Sequence, residues 1–386
     1  MSAALRIAIL THSTNPRGGV VHALELGDAL TRFGHNVTVF APDTTGAGFF
    51  RGTLCRTSSI PAAAVGRDLR TLVETRVAEY VRYFEQGENR CFDVWHAQDG
   101  ISGNALATLK ERDLISSFAR TVHHVDAFAD ERVSDLQKRA IKAADQLFAV
   151  GALWRDWLAR QFAREARVVG NGVDMCRYSP TRGVADTELR DHLGLPEAGP
   201  VFLAVGGVEQ RKNTIRILQA FEALRPQHPS ACLVIAGGAS VLDHGVYQAR
   251  FDGVLAHCGE AAAAVIRTGP LWQKLMPALY RAASALVFPS ISEGFGLVAL
   301  EAMACGVPVV TSRMAPFTEY LGANDALWCD PSDTASIAAA MEKSLDASRR
   351  AELLVRGLQV AARHDWSATA RAHLPIYEKL LERVDA

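Results

Sequence analysis

The stretch from Phe288 to Val310 reads FPSISEGFGLVALEAMACGVPVV, and this stretch decides the fold class. An apolar run ends at Phe288, a loop with two glycines follows, and an apolar segment of helical length leads into a second apolar run from Val307. Strand, loop, helix and strand in that order form the repeating unit of a parallel sheet covered by helices. Such sheets bind ligands at the carboxyl ends of their strands, so the loop after Phe288 is the first place to expect a site.

Two acidic residues in this stretch point to a ligand. Glu293 lies in the loop and Glu301 lies in the apolar helix, with seven residues between them. Gly294 and Gly296 expose backbone N–H groups at the start of the helix, which suits an anion. A carboxylate on a helix packed against a sheet is costly unless it is bonded, and the hydroxyl pair of a ribose is one suitable partner. Capping and packing, with Glu301 solvated at the helix end, is the alternative.

The same alternation of apolar runs and helical segments extends over the rest of the chain in two sets. It predicts two parallel sheets with helices on both faces, in two α/β domains of similar size. The first set of predicted strands is Arg6–Thr11, Val37–Phe40, Val94–His96, Arg120–His123, Gln146–Val150 and Arg167–Val169. The second set is Val201–Val205, Ala231–Ala236, Val265–Thr268, Ala285–Phe288, Val307–Thr311 and Ala326–Cys329.

The segment between these two sets predicts a domain boundary. Tyr178–Pro200 is rich in proline, glycine and charged residues, which is typical of a linker. We therefore predict domains over residues 1–178 and 179–365. An amphipathic helix, Trp366–Val384, follows once the second sheet is complete.

Three further strand–helix junctions carry glycines or cations. Gly18-Gly19 precede the first helix, Gly206-Gly207 follow the strand Val201–Val205, and Gly237-Gly238 follow the strand Ala231–Ala236. None of these junctions has the Gly-x-Gly-x-x-Gly spacing of a dinucleotide site. Arg211-Lys212 come soon after the second of these glycine pairs, where a planar guanidinium and an ammonium suit a diphosphate; a solvated basic pair is the alternative.

Histidines stand at the ends of three predicted strands of the first domain. They are His12, His96 and the pair His123-His124, with Asp126 close behind. Strand ends of one sheet share an edge, so we expect at least one of these histidines to contact substrate. Their spacing is poor for zinc, and no Asp-x-Asp motif is present.

Composition excludes several classes of protein. The 386 residues carry 41 Lys plus Arg and 42 Asp plus Glu, so the net charge of −1 argues against nucleic acid as a partner. Seven scattered cysteines without a Cys-x-x-Cys pair, and the lack of a signal sequence, predict a cytoplasmic protein. The basic, aromatic segment Leu153–Val169 leaves open contact with the inner face of a membrane, although a helix packed on its own sheet explains it better.

Taken in order, these motifs resemble the retaining glycosyltransferases of family 4, which have the GT-B fold. The resemblance covers nearly the whole chain, and its most specific part is the Glu-x7-Glu motif of Glu293 and Glu301. The other matching motifs are Gly18-Gly19 with His22, GHNVTVF from Gly34, DVWHAQD from Asp93, Thr121-Val122-His123, NGVD from Asn171 and GGVEQRKN from Gly206.

The resemblance implies two Rossmann-like domains facing each other across a cleft, with the C-terminal helix, residues 366–386, crossing back to the first domain. It assigns Arg211 and Lys212 to the donor diphosphate, Glu293 to the donor sugar and Glu301 to the ribose. It gives His123 a catalytic contact with the donor sugar, although His124 beside it leaves this match ambiguous. Residues implied around the donor are Gly18, Gly19, Gly206, Gly207, Gly294, Phe295, Gly296 and Leu297. His12, His96, His124 and Asp126 fall to the acceptor or sugar side.

The activity implied is metal-independent transfer of a hexose, with retention of configuration, from a nucleotide sugar such as a UDP-hexose or GDP-mannose. No further cofactor is implied. The acceptor is a carbohydrate, a lipid-linked compound or a small molecule, and the oligomeric state stays open. Two departures affect the phosphate contacts: no arginine follows Gly207, and Gln210 replaces a proline of the related motif. The alternatives are an NAD(P)-dependent dehydrogenase and a non-catalytic protein that binds nucleotide sugars.

Overall fold

The protein is described by a computed structural model over residues 4–66, 68–238 and 245–382. The end of the predicted helix Trp366–Val384 falls in residues 383–386, which lie outside the described residues. The chain forms two compact units, residues 1–172 with 366–386, and residues 173–365. The second unit thus begins at Val173, a few residues before the boundary predicted at 178. The Val173 N–H donates to the His364 carbonyl of the same unit at 2.9 Å.

The first unit contains a seven-stranded parallel sheet. Its strands lie in the order β3-β2-β1-β4-β5-β6-β7. Their bounds are β1 Arg6–Leu10, β2 Asn36–Asp43, β3 Arg56–Pro61, β4 Val94–Ala97, β5 Ala119–Val122, β6 Gln146–Ala149 and β7 Arg167–Val168.

One strand of this sheet was not predicted. The edge strand β3 has the sequence RTSSIP, of which only Ile60 is buried. It pairs in parallel with β2, from Thr38 opposite Arg56 onward. An edge strand has a neighbouring strand on one side only and is less buried than a central strand. It therefore does not need the apolar run by which the central strands were predicted.

The second unit contains a six-stranded parallel sheet in the order β10-β9-β8-β11-β12-β13. Its core lies where the sheet meets flanking helices, with Phe202, Phe221 and Ile337 fully buried. The strand bounds are β8 Val201–Val205, β9 Cys232–Ala236, β10 Val265–Gly269, β11 Ala285–Phe288, β12 Val309–Ser312 and β13 Leu327–Cys329. The two parallel sheets confirm the predicted α/β fold class of paired Rossmann-like domains.

Helices connect the strands of both units. Within the described residues they are α1 Gly18–Arg32, α2 Leu69–Glu85, α3 Gly100–Glu111, α4 Glu131–Ala143, α5 Ala152–Phe162, α6 Val184–Leu193, α7 Thr214–Leu224, α8 Gly245–His257, α9 Met276–Ala282, α10 Leu297–Ala304, α11 Phe317–Tyr320, α12 Thr334–Lys343, α13 Ala347–Arg363 and α14 Trp366–Glu382. A short 3-10 turn, Gln210–Lys212, precedes α7.

The C-terminal helix α14 belongs to the first unit, where it packs on α1. Trp366 contacts the ring of His22 edge-on, with 5.4 Å between the ring centroids. Tyr377 and His373 of α14 are fully buried. The helix therefore completes the core of the unit that begins the chain.

The basic, aromatic helix α5 faces its own unit. Leu158 is fully buried and Trp154 is 7% exposed, and Trp157 and Phe162 pack against the core of the first unit. The apolar side of α5 is thus already covered, which favours a helix packed on its own sheet over one lying on lipid. Across the described ranges, no helix combines the length and the apolar character that crossing a membrane requires.

In each sheet the strand order reverses direction between two central neighbours. These neighbours are β1 and β4 in the first sheet, and β8 and β11 in the second. At such a reversal the loops after the two strands diverge to opposite faces and leave a crevice at the carboxyl edge. Among the predicted site residues, Gly18-Gly19 follow β1, Arg211-Lys212 follow β8 and Glu293 follows β11. His123 and His124 instead follow β5, the neighbour of β4.

Candidate functional site

A cluster of four charged side chains lies at the carboxyl edge of the second sheet. The ammonium of Lys212 donates to Oε1 of Glu293 at 2.5 Å. Arg211 donates to the same oxygen through Nη1 at 3.2 Å, and its Nε lies 2.9 Å from Oε2 of Glu209. The structure thus brings together the three charged residues predicted for this site, Arg211, Lys212 and Glu293.

The backbone holds the cationic turn in place at several points. Asn213 adopts a left-handed conformation with φ of 62° and ends the 3-10 turn. Its side-chain amide donates to the carbonyls of Pro289 and Pro331, at 3.1 and 2.7 Å. The Ile291 N–H donates to the Arg211 carbonyl at 2.8 Å. The turn after β8 is therefore tied to the loops after β11 and β13.

Only one of the two cations is readily reached from solvent. The side chain of Lys212 is 9% exposed and that of Glu293 is 7% exposed, whereas Arg211 is 39% exposed. Lys212 also lies 4.3 Å from the centroid of the Phe288 ring, a cation–π contact. Lys212 and Glu293 are thus a buried ion pair, and Arg211 is its accessible end.

The pKa values of this pair reflect opposing effects. Burial raises the pKa of Glu293, but the charges of Lys212 and Arg211 outweigh burial, so the pKa of Glu293 lies below its ordinary value. Burial lowers the pKa of Lys212, and Glu293 offsets that effect only in part. Glu293 is therefore held ionised as an acceptor of hydrogen bonds.

At two positions of this edge, a positive φ and a close neighbouring side chain require glycine. Gly206 has φ of +119°, and a Cβ there would lie 2.7 Å from Cε of Lys212. Gly296 has φ of +93°, and a Cβ there would lie 2.5 Å from a ring carbon of Phe317. Gly296 stands directly before α10, so the first N–H groups of this helix are exposed to the loop without a side-chain cap.

Glu301 is held by a tyrosine that the sequence did not reveal. The hydroxyl of Tyr280 on α9 donates to Oε2 of Glu301 at 2.6 Å. Glu301 is 8% exposed and Tyr280 is fully buried, and burial together with the neighbouring acid raises the pKa of Tyr280 well above its ordinary value. Glu301 is thus a bonded, nearly buried acid, and the alternative of a solvated helix end is wrong.

The remaining residues predicted around the donor lie close to this cluster in the chain. Phe295 stacks on Tyr320 with 4.6 Å between ring centroids and an angle of 5° between the rings. A Cβ on Gly207 would lie 2.8 Å from the backbone carbonyl oxygen of Gly238, and Leu297 begins α10. Gly294 lies between Glu293 and Phe295 in the same loop.

At the carboxyl edge of the first sheet, His123 packs beside the glycine loop. A Cβ on Gly19 would lie 3.4 Å from the His123 ring, whereas Gly18 has open space around it. The ring of His22 stands edge-on to His123 with 4.7 Å between centroids. His123 Nε2 lies 2.8 Å from Oε1 of Gln98, a residue for which the sequence analysis had predicted no role.

His96 does not fit its predicted place on the acceptor or sugar side. It is fully buried, and its ring nitrogens lie 2.8 Å from the Tyr377 hydroxyl and from Oγ1 of Thr121. Both nitrogens are therefore occupied inside the first unit, and we correct the assignment of His96 to a place in the core.

The other residues predicted for the acceptor or sugar side are half-buried and paired with acids. Nδ1 of His12 lies 3.5 Å from Asp99. His124 Nε2 lies 3.1 Å from Oδ1 of Asp126, and the His124 ring also packs edge-on against Trp154. Their proposed contact with an acceptor stays a prediction.

Within residues 4–66, 68–238 and 245–382, no three or more histidine, cysteine, aspartate or glutamate side chains are arranged to hold a metal ion.

Two protein families match the two halves of the chain. Residues 16–177 match Glycosyltransferase Family 4, and residues 185–365 match Glycosyl transferases group 1. D-inositol 3-phosphate glycosyltransferase of Xylanimonas cellulosilytica is 30% identical, and the match covers 98% of this chain and 97% of that protein. Glycogen synthase of Mycobacterium tuberculosis is 30% identical over 74% of this chain and 68% of its own length.

Solved structures show the same fold at lower identity. Sucrose-phosphate synthase from Thermosynechococcus elongatus has a TM-score of 0.81 at 22% identity, covering 98% of this chain and 100% of that one. HepE from Anabaena, solved with UDP-glucose, has a TM-score of 0.73 at 17% identity, covering 99% of both chains. With the paired Rossmann-like sheets, the acidic Glu-x7-Glu pair and these full-length matches, the chain belongs to the GT-B glycosyltransferases of family 4.

Proposed function

We propose that this glycosyltransferase moves a hexose from a nucleoside diphosphate sugar to a hydroxyl group of its acceptor, with retention of configuration and without a metal ion. The observation that carries the proposal is the buried ion pair of Lys212 and Glu293 with Arg211 at its accessible end. The two cations, which their acidic partners hold in place, stabilise the charge that develops on a departing diphosphate.

In the proposed reaction, the bond between the anomeric carbon and the diphosphate oxygen breaks as the acceptor oxygen bonds to that carbon. The acceptor proton passes to an oxygen of the leaving phosphate, so no protein base is consumed. Arg211 and Lys212 take the negative charge of the diphosphate, as do the N–H groups at the start of α10.

The two acids receive separate roles in this proposal. Glu293 accepts hydrogen bonds from hydroxyls of the donor sugar, since its low pKa keeps it ionised. Glu301 accepts from the ribose hydroxyls, with Tyr280 fixing one of its oxygens. We also propose that His123 contacts the donor sugar, on the strength of the family resemblance and its position beside Gly19.

The donor and acceptor are proposed by class. Support for the donor class comes from the neighbour solved with UDP-glucose and from the family membership of the chain. UDP-hexoses and GDP-mannose are the first donors to test. Relatives named for D-inositol 3-phosphate make a phosphorylated cyclitol the first acceptor to test, ahead of carbohydrate and lipid-linked acceptors. A dehydrogenase is not favoured, because the dinucleotide spacing is missing after β1 and the matches are glycosyltransferases.

A two-stage experiment tests the proposal. Thermal stabilisation by a panel of nucleotide sugars identifies the donor, and NMR of the product formed after exhaustive dialysis against a chelator reads the anomeric configuration. We expect turnover without metal and the same configuration in donor and product. An inverted product, or activity that returns only with a divalent ion, would contradict the corresponding part of the proposal.

A further inference from the structure

Gln98, in the loop between β4 and α3, links two histidines of the first unit. Its side chain is nearly buried, with the residue 2% exposed. Its Oε1 lies 2.8 Å from Nε2 of His123. Its amide nitrogen lies 3.4 and 3.3 Å from Nδ1 and Nε2 of His96, so it stands over the ring instead of pointing at one nitrogen.

The His96 ring is itself fixed within its plane. The hydroxyl of Tyr377 lies 2.8 Å from Nδ1, and Oγ1 of Thr121 lies 2.8 Å from Nε2. Tyr377 comes from the C-terminal helix α14 and is fully buried. The amide of Gln98 therefore rests on a ring that cannot turn without breaking two hydrogen bonds.

This packing decides which way the Gln98 amide points. The face of a neutral aromatic ring is electronegative, so it attracts the N–H group and repels the carbonyl oxygen. The NH2 end of Gln98 accordingly lies over His96, and the oxygen faces His123. An amide oxygen only accepts hydrogen bonds, so Nε2 of His123 must be the donor.

His123 is neutral in this setting, because burial lowers its pKa well below the ordinary value. The groups that disfavour a second proton further are His22, Arg120, His12 and His373. His96 also lies nearby, and its own pKa is lowered in part by His123. A neutral imidazole with its proton on Nε2 has a free lone pair on Nδ1.

We propose that Gln98 is a positioning residue that holds His123 in the Nε2–H tautomer and leaves Nδ1 to accept a hydrogen bond from a hydroxyl of the donor sugar. His96 and Tyr377 act through Gln98 by fixing the direction of its amide. The identity of the hydroxyl rests on the proposed function, whereas the tautomer does not.

The tautomer is measured directly by long-range 1H–15N NMR on protein labelled at histidine, with His123→Gln used to assign the signal. We expect a protonated Nε2 and an unprotonated Nδ1 in the wild-type protein. A protonated Nδ1, or a doubly protonated ring at neutral pH, would overturn the proposal. The NMR measurement of the tautomer needs no substrate. A failure to turn over any nucleotide sugar would therefore contradict the proposed function and leave the tautomer assignment of His123 intact.

Two variants at residue 98 then connect the tautomer to turnover. Gln98→Met keeps the length of the side chain and removes the acceptor, so we expect a mixture of tautomers and a fall in kcat/KM of about two- to tenfold. Gln98→Glu restores an acceptor for Nε2–H and restores the tautomer. Its charge raises the pKa of His123, so activity is lost at a higher pH on acidification than in the wild-type protein.

Gln161→Met, on the exposed side of α5, is the matched control and should change neither the tautomer of His123 nor kcat/KM. If Gln98→Met shows the wild-type tautomer and the wild-type kcat/KM, Gln98 does not position His123. A fall in kcat/KM without a change of tautomer, and without rescue by Gln98→Glu, would likewise contradict the proposal, because a loss of packing alone would produce it.

Discussion

Replacing Glu293 with glutamine tests the buried ion pair most sharply. The amide keeps the shape of the side chain but leaves Lys212, which is 9% exposed, without its acid at 2.5 Å. Removing one partner of a buried pair costs about 3–5 kcal/mol. Arg211 keeps its contact with Glu209 and reaches solvent, so we expect the lower end, about 3 kcal/mol. For a unit of this size that corresponds to a fall in Tm of about 6–12 °C.

Differential scanning calorimetry of a double-mutant cycle provides the measurement. Glu293→Gln and Lys212→Met should each lower the Tm of the second unit. The Tm of the double variant should fall by at most half of the sum of the two single losses, because both buried charges are gone. Asp252→Asn, which breaks the exposed pair with Arg267, is the control and should cost less than about 1 kcal/mol.

The pH dependence has a defined sign. The pKa of Glu293 is lowered in the folded protein, so its contribution is full above its ordinary value of 4.5 and is lost as the pH falls through the folded pKa. The difference in Tm between the wild-type protein and Glu293→Gln should therefore shrink below about pH 4.5. A Tm unchanged by Glu293→Gln at neutral pH, or a double variant with fully additive losses, would refute the reasoning.

Three further predictions concern other parts of the fold. Gly296→Ala should destabilise the second unit by about 1–3 kcal/mol and impair transfer, whereas Gly253→Ala, in open space on α8, should leave the Tm equal or higher; equal effects of the two would contradict the argument from φ. Glu301→Gln should raise the KM for the donor about tenfold or more in steady-state kinetics, and an unchanged KM would exclude the ribose role. His22 and His373 are neutral, with pKa values lowered by burial to about 4 and about 3, so stability should fall as the pH drops below 6.5. Acid titration of Tm should show that loss reduced in the variant carrying His22→Gln and His373→Gln, and an identical slope would contradict it.

Much of the fold could be predicted from short apolar runs because the central strands are buried on both faces. The β8 strand, Val201–Val205, has the predicted bounds. The edge strand β3 could not be found in the same way, since four of its six residues are polar and only Ile60 is buried. The predicted linker Tyr178–Pro200 contains helix α6, which an ion pair between Asp186 and Arg281 at 2.7 Å ties to α9. Such pairs join residues far apart in the chain, and local patterns do not show them.

The candidate site likewise contains residues that could be predicted from the sequence and residues that could not. Arg211, Lys212 and Glu293 could be predicted because each lies in a loop directly after a strand, where the topology brings loops together. The sequence did not predict Tyr280, Gln98 or the hydrogen bonds of Asn213 to the neighbouring loops. A buried tyrosine or amide looks the same in sequence whether or not it bonds a functional residue. His96 was misplaced because a strand-end histidine can turn into the core as readily as toward a ligand.

The most direct test of the central claim is the affinity of Arg211→Ala for the donor found by screening, measured by calorimetry beside the transfer rate. Arg349→Ala, which breaks a comparable pair with Glu352, is the matched control. We predict donor binding weakened about 10- to 100-fold and transfer slowed about 100-fold in Arg211→Ala, with both unchanged in the control. Wild-type affinity and wild-type transfer in Arg211→Ala would contradict the assignment of this cluster to the donor diphosphate.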